Sequence, residues 1–216
     1  MRKLRATAPN ELKQDNTPQK RLAIERLVFF SDAVFAIAIT ILVLDIRLPA
    51  GANAAGSREL LLSLAGLWPE YLAFFISFWV IGLSWISHHR KFLYIQRIDY
   101  QLLTLNLLML MIIAFIPFPT AVMSENVSFT ATAFYALTMI MACLSGLILW
   151  LHAARNHRLV DSSLDRRQIW REASVPLATI AIFTLSMGVA VLDAGLARIF
   201  WVLVFPLAFF LRRRAA

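Results

Sequence analysis

The sequence predicts an all-α integral membrane protein with six transmembrane helices, and three observations carry that prediction. Of its 216 residues, 60% are hydrophobic, whereas soluble domains run at about 45–50% apolar. The apolar residues gather into runs close to the roughly 20 residues that a helix needs to cross about 30 Å of hydrocarbon. The basic residues, finally, fall in every second connecting segment, as alternating spans require.

Residues 1–25 are polar and charged, contain Pro9 and Pro18 and show no apolar period, which predicts an N-terminal tail from which the first helix grows. The first span covers residues 27–46, and a six-span domain over residues 26–212 follows the tail. The triplets Ala50-Gly51-Ala52 and Ala52-Asn53-Ala54 imitate a signal-peptide cleavage site. The run before them is longer than the usual 7–15 residues or so and contains Asp32, so it reads as a retained span. Pro49-Ala50-Gly51 breaks the helix and residues 51–57 form a small-residue loop. An amphipathic turn at 58–64 precedes the second span, 67–87. The third, 98–122, ends in Pro117-Phe118-Pro119, which distorts or terminates the helix near the membrane surface. The fourth and fifth are 127–151 and 173–192. The sixth, 196–211, contains Pro206 and is the shortest, crossing under local thinning or with snorkelling ends. Residues 213–216 are a C-terminal tail.

Lys and Arg number 21, and all but Arg47, Arg58 and Arg198 lie in the N-terminal segment, the second and fourth loops and the C-terminus. This asymmetry places both termini in the cytoplasm. A net charge of +8 dispersed in this way reads as topology rather than as a nucleic-acid surface. Arg166-Arg167 with Arg171 suits anionic head groups. Trp68, Tyr71, Tyr94, Trp150 and Trp201 near span ends fit either interfacial belts or ordinary packing. The lone Cys143 excludes an intramolecular disulfide and a cysteine metal cluster, and reads as a small core residue. No internal repeat is apparent, so symmetry in such a protein arises by oligomerisation.

Within the first span, Asp32 demands an explanation, because a carboxylate in a membrane helix costs at least a few kcal/mol unless something satisfies it. At about 100° per residue, Ile37, Ile41 and Leu44 fall within about 60° of each other with Thr40 beside them, while Asp32 and Ser31 lie about 140° and 120° from Ile37. The polar pair therefore turns towards the subunit's own helices, as a tie rather than an ion ligand. The apolar stripe, on periodicity alone, suits a pore lining or any packed or lipid-facing surface. Asp45 lies about 80° from Ile37 and either flanks a pore mouth or pairs with Arg47. Adjacent His88 and His89 point about 100° apart and do not readily share a metal; both read as interfacial hydrogen-bonding residues, with His89 turned to water. Glu70, Asp99, Asn106 and Asp193 read as caps or interhelical hydrogen-bonding groups.

Arg26, three residues, then Phe30-Ser31-Asp32 and the apolar run Ala33 to Thr40 resemble the signature of the endosomal and lysosomal potassium channel family, the transmembrane protein 175 family, and in particular its bacterial six-helix homologues. Trp85-Ile86-Ser87-His88-His89-Arg90-Lys91-Phe92, of the form W-x-x-H-H-x-x-F, is similar to that family's second motif. The resemblance implies a symmetric homotetramer in the bacterial inner membrane, with a pore lined by helix 1 that passes potassium in preference to sodium and other monovalent cations. It further implies a hydrophobic constriction of Ile37, Ile41 and Leu44, with Thr40 aiding ion selection, Asp45 at the pore mouth, and a polar network of Arg26, Phe30, Ser31, Asp32, Trp85 and His88. Position 36 is Ala where some relatives carry a hydroxyl, and the ring residues are Ile where Leu is frequent.

The sequence has no T-V-G-Y-G filter and no arginine ladder within a span. It also lacks a phosphate-binding glycine loop and any Ser-His-Asp or H-E-x-x-H arrangement. These observations point away from an enzyme, a metal site and a bound cofactor. The alternative reading is a proton-coupled secondary transporter using Asp32 and His88, which requires broken helices near the midplane. An integral-membrane enzyme built on His88 and His89 requires a further polar cluster at the same face, and only basic loop residues are present there.

Overall fold

The computed structural model describes residues 18–49 and 56–213. These form a helical bundle: α1 (Pro18–Ile41), a 3-10 turn (Leu42–Asp45), α2 (Ser57–Gly66), α3 (Trp68–Tyr94), α4 (Tyr100–Phe115), α5 (Pro117–Glu125), α6 (Phe129–Ala154), α7 (Arg166–Leu192), α8 (Ala194–Phe200) and α9 (Val204–Arg213). Five segments are long and apolar enough to span a membrane: Arg21–Asp45, Trp68–Tyr94, Tyr100–Glu125, Phe129–His157 and Arg166–Leu192. The sixth apolar segment, Ala194–Phe210, is shorter and is interrupted by a 3-10 turn at Trp201–Leu203. The expected small-residue loop and its cleavage-like triplets fall largely on residues 50–55, outside the described residues, as does most of the expected N-terminal tail.

Several boundaries differ from the sequence reading, each for a local reason. Helix α1 begins at Pro18, so residues 18–25, assigned above to the tail, form its first turns. Proline suits a first helical position because its φ is already helical and its missing N–H is not needed there. Gln19 to Ala23 are good helix formers. Helix α7 starts at Arg166 rather than near 173, because Asp165 and Gln168 form a reciprocal capping box. At Pro117 the chain does not stop: α4 ends, Ile116 stays helical and α5 restarts with proline in its first turn. Residues 58–64 do form a helix, α2, and it buries no side chain.

Aromatic packing holds the far half of the bundle. Tyr135 of α6 stacks on Trp201 with ring centroids 4.9 Å apart, and Phe183 of α7 lies 5.3 Å from the same indole. All three are fully buried, so the polar tips of Tyr135 and Trp201 need partners. Trp201 Nε1 donates to Ser186 Oγ at 2.6 Å, and the Tyr135 hydroxyl meets Ser77 Oγ at 2.9 Å, which in turn meets Thr120 Oγ1 at 2.8 Å. Trp150 is also fully buried and donates Nε1 to Ile169 O at 3.0 Å, fastening α6 to α7. Trp150 and Trp201 are therefore packing residues rather than belt residues, whereas Trp68 is exposed. Cys143 is buried in α6.

At the end of the bundle where α1 and α7 begin, the α3–α4 and α6–α7 loops pair through an antiparallel bridge, Ile95 with Val160. Gln96 N donates to Leu159 O at 2.8 Å and Asp161 N to Tyr94 O at 3.2 Å. Asn156 and His157 adopt positive φ of 53° and 51° as the chain leaves α6, a region in which Asn and His are enriched. Asp99 caps α4 by accepting from Leu102 N at 2.7 Å, and its carboxylate also meets His152 Nε2 at 3.2 Å and the Arg158 guanidinium.

Burial acts to raise the Asp99 carboxyl, but the Leu102 N–H, the His152 hydrogen bond and the charges of His152 and Arg158 outweigh it and hold it below the ordinary carboxylate range. A carboxyl depressed in the folded state contributes stability that is fully present above its unfolded value of about 3.9 and is lost as pH falls through the folded value. Asp99→Asn keeps a capping side chain while removing the charge. Thermal unfolding of the detergent-solubilised protein should therefore lose less stability in the variant than in the wild type as pH falls from about 5 to 3. Parallel pH profiles would show that this cluster contributes no pH-dependent stability.

Candidate functional site

Helix α1 has two faces with different fates. Ser31, Phe35, Ala38 and Leu42, spaced by four, three and four residues, are buried against α3 and α4. Ile37, Ile41 and Leu44 lie on the other side at 57%, 41% and 62% exposure. Apolar spacing of this kind fits a helix packed along one side only. Thr40 is exposed beside the stripe and donates its hydroxyl to Ile37 O at 3.0 Å, so its oxygen keeps only acceptor capacity. Asp45 sits half-buried in the 3-10 turn, and Arg47 donates to Leu44 O at 3.2 Å rather than forming an ion pair with it.

The buried face is tied by a chain of polar groups. Ser31 Oγ donates to Leu27 O at 2.8 Å in its own helix and accepts from Asn106 Nδ2 of α4 at 3.0 Å. Asn106 Oδ1 lies 3.0 Å from His88 Nε2 of α3. Because a carboxamide oxygen only accepts, this arrangement assigns the proton to Nε2. The other ring nitrogen, Nδ1, is buried without a partner among the described residues. The imidazole is clamped between Phe35 of α1, at 5.6 Å, and Phe92 one turn along α3, at 4.4 Å. A second tie lies nearer the surface, where Trp85 Nε1 donates to Asp32 Oδ1 at 2.8 Å.

Of the residues expected in this network, the structure brings together Ser31, Asp32, Trp85 and His88. Asp32 is half-buried rather than sealed in the core. Arg26 is exposed with no hydrogen bond or ion pair among the described residues, and Phe30 is also exposed. Within one subunit, neither joins the network. His89 is exposed, stacked loosely on Trp85 at 5.8 Å. Asn106 is the link that joins Ser31 to His88. In the sequence it was one of several candidate interhelical groups, and its signal is a single amide in the otherwise apolar run Leu105 to Leu110.

Two further polar contacts escaped the sequence reading because both involve residues counted there as loop charges. Lys91 is buried and donates Nζ to Gly146 O at 3.2 Å. Arg90 pairs with the buried Glu172 of α7 at 2.5 Å. Both arise because α3 and α7 extend as helices beyond the boundaries that hydropathy suggested. Among the described residues, no group of His, Cys, Asp or Glu is arranged to hold a metal ion.

A bundle of helices long and apolar enough to span a membrane, whose first helix is tied on one side by polar groups and bare and apolar on the other, defines a multi-pass membrane protein. The family model described as endosomal/lysosomal potassium channel TMEM175 matches residues 26–117, the stretch that supplies every member of the polar network. A protein named as a potassium channel from Streptomyces collinus is 43% identical over 145 residues, covering 65% of this chain and 69% of the relative. Another so named, from Chamaesiphon minutus, is 40% identical over 148 residues, 67% of this chain and 72% of the relative. The crystal structure of a lysosomal potassium-selective channel TMEM175 homolog from Chamaesiphon minutus superposes with a TM-score of 0.74 at 31% identity, covering 89% of this chain and 98% of that one. The chain belongs to the TMEM175 potassium channel family.

Replacing Asn106 with Leu tests the central link. It leaves the buried His88 Nε2 without its partner, at a cost of about 1–3 kcal/mol for the stranded group, while the Ser31 hydroxyl keeps Leu27 O as its acceptor. A clearly lowered midpoint of thermal unfolding in detergent is the expected result. An unchanged midpoint would remove Asn106 from the interactions that hold α1.

Proposed function

We propose that copies of this chain assemble as a homotetramer around α1 to form a potassium channel, favouring potassium over sodium, with Ile37, Ile41 and Leu44 as successive rings of a hydrophobic constriction. The observation that supports this reading most directly is the division of α1. Its polar groups are engaged within the subunit, while the stripe of Ile37, Ile41 and Leu44 is free for a symmetry axis. Rings of branched apolar side chains close a pore by dewetting and need no charge to do so. The Thr40 oxygen, beside the stripe, is the nearest polar group available for ion selection, and Asp45 at the far end concentrates cations at the mouth. The basic residues suit an inner-membrane protein with cytoplasmic termini, a shortened sixth span and arginines among anionic head groups.

Asp32 and His88 offer little to a proton-coupled transporter in this arrangement. Asp32 accepts from Trp85 and His88 Nε2 donates to Asn106, and α1 and α3, which carry them, run unbroken past both positions. Flux from proteoliposomes separates the two readings. Under a potassium gradient, with sodium and N-methylglucamine as comparisons, the channel gives rapid dissipative uptake that favours potassium and needs no pH gradient. Slow flux that appears only with a pH gradient would replace the channel by the transporter.

Ile37→Asn should wet and widen the constriction, raising potassium conductance or weakening discrimination against sodium in the same assay. If neither changes in a normally assembled protein, position 37 does not line the pore.

A further inference from the structure

The end of the bundle that carries Asp45 contains a cavity lined by neither α1 nor the polar network. Trp68, Leu72 and Ile76 of α3, Met123 of α5, and Arg198 and Ile199 of α8 line it, and it has a volume of about 120 Å³. A single water needs about 10–15 Å³, so this space admits a group larger than water. Its rim includes Trp68, Ile199 and Val127, all more than half exposed. In a membrane-embedded bundle, such a rim opens towards lipid.

Arg198 makes this cavity unlike an ordinary packing gap. Its side chain is 7% exposed, Nε donates to Thr132 Oγ1 at 3.2 Å and Nη2 to Asn126 O at 2.5 Å. Both acceptors are neutral. Among the described residues no acidic side chain forms an ion pair with Arg198, and Nη1 has no hydrogen-bond partner. Glu70, next to the wall residue Pro69, has its Oε2 buried without a hydrogen-bond partner among the described residues and forms no ion pair with this guanidinium. Neutral acceptors orient a guanidinium but leave its charge uncompensated, and a buried charge without a counter-charge is costly. An anion supplied from outside the chain resolves this.

We propose that the cavity binds one anionic phospholipid per subunit, with its phosphate on Arg198 and part of an acyl chain against Leu72, Ile76 and Met123. With Nε and Nη2 each already donating within the chain, Nη1 supplies the free N–H donors for phosphate oxygens, and the remaining walls favour hydrocarbon. The apolar rim selects a lipid over free phosphate, which would have to shed its water at Trp68 and Ile199 with one buried cation as its only charged partner. The inference depends on the protein being membrane-embedded and not on which ion its pore passes.

The test uses the full chain purified in mild detergent, with native mass spectrometry to count retained lipid and thermal unfolding as a second readout. Phosphatidylglycerol should survive delipidating washes and raise the unfolding midpoint, while phosphatidylcholine and inorganic phosphate should do neither. Arg198→Gln should weaken phosphatidylglycerol retention roughly tenfold or more, as expected when a charged contact is lost. Val127→Glu, at a rim position that is 70% exposed and outside the helices, places a carboxylate at the mouth and should have the same effect, so the proposal remains testable if Arg198→Gln does not fold. Arg167→Gln, at the opposite end of the bundle, should leave this lipid in place. Equal retention of phosphatidylcholine, stabilisation by inorganic phosphate alone, or undiminished phosphatidylglycerol on the Val127→Glu protein would overturn the assignment.

Discussion

Everything about the arrangement of α1 follows from one constraint: a helix that keeps a bare face must be held entirely from the other side. Packing of Phe35, Ala38 and Leu42 supplies contact area, but apolar contact alone is weak at fixing rotation in a membrane, where lipid tails are as apolar as the neighbouring helix. The hydrogen bonds from Asn106 to Ser31 and to His88 add direction. Rotating α1 by one residue would take Ser31 away from Asn106 and strand the amide in a dry environment. The Asp32 to Trp85 contact repeats the constraint nearer the surface.

The same constraint extends beyond the helices that pack on α1. Asn106 is held in place by α4, whose first turn is capped by Asp99, and Asp99 is anchored by His152 and Arg158 from the end of α6 and the loop beyond it. His88 is held by α3, which is fastened to α7 through Arg90 and Glu172 and to α6 through Lys91. The polar contacts at the basic end thus form a frame around the link to α1. At the other end the frame is aromatic, with Tyr135, Phe183 and Trp201 sealing the bundle. Arg198 stands apart from both, a buried charge at the aromatic end with only neutral partners in the chain.

Legibility in the sequence differed by residue type. The rotation of α1 was legible because Ser31 and Asp32 sit on one side of a helical wheel and Ile37, Ile41 and Leu44 on another, and the buried and exposed faces follow that division. Asp99 and Asp193 read from the sequence as caps or interhelical hydrogen-bonding groups, and both accept from the first turn of the following helix. Arg26 and Phe30 belong to the motif as it is written along the chain, yet a single subunit leaves both at its surface. For Trp150 and Trp201 the sequence left belt and packing roles open, because proximity to a span end says nothing about which way an indole points, and burial decides for packing.

The sequence by itself determined the membrane class, the register of the long apolar helices and the two-sided character of α1, because hydrophobicity and helical periodicity are properties of neighbouring residues. Only the tertiary structure decided that Asn106 is the bridge between Ser31 and His88, that Lys91, Glu172 and Arg198 are buried rather than washed by solvent, and that the last apolar segment is broken at Trp201. Those outcomes depend on which helices meet and at what height. A polar side chain on a helix carries the same local signal whether it faces water, a head group or a partner, and its partner here lies between 18 and 82 residues away along the chain.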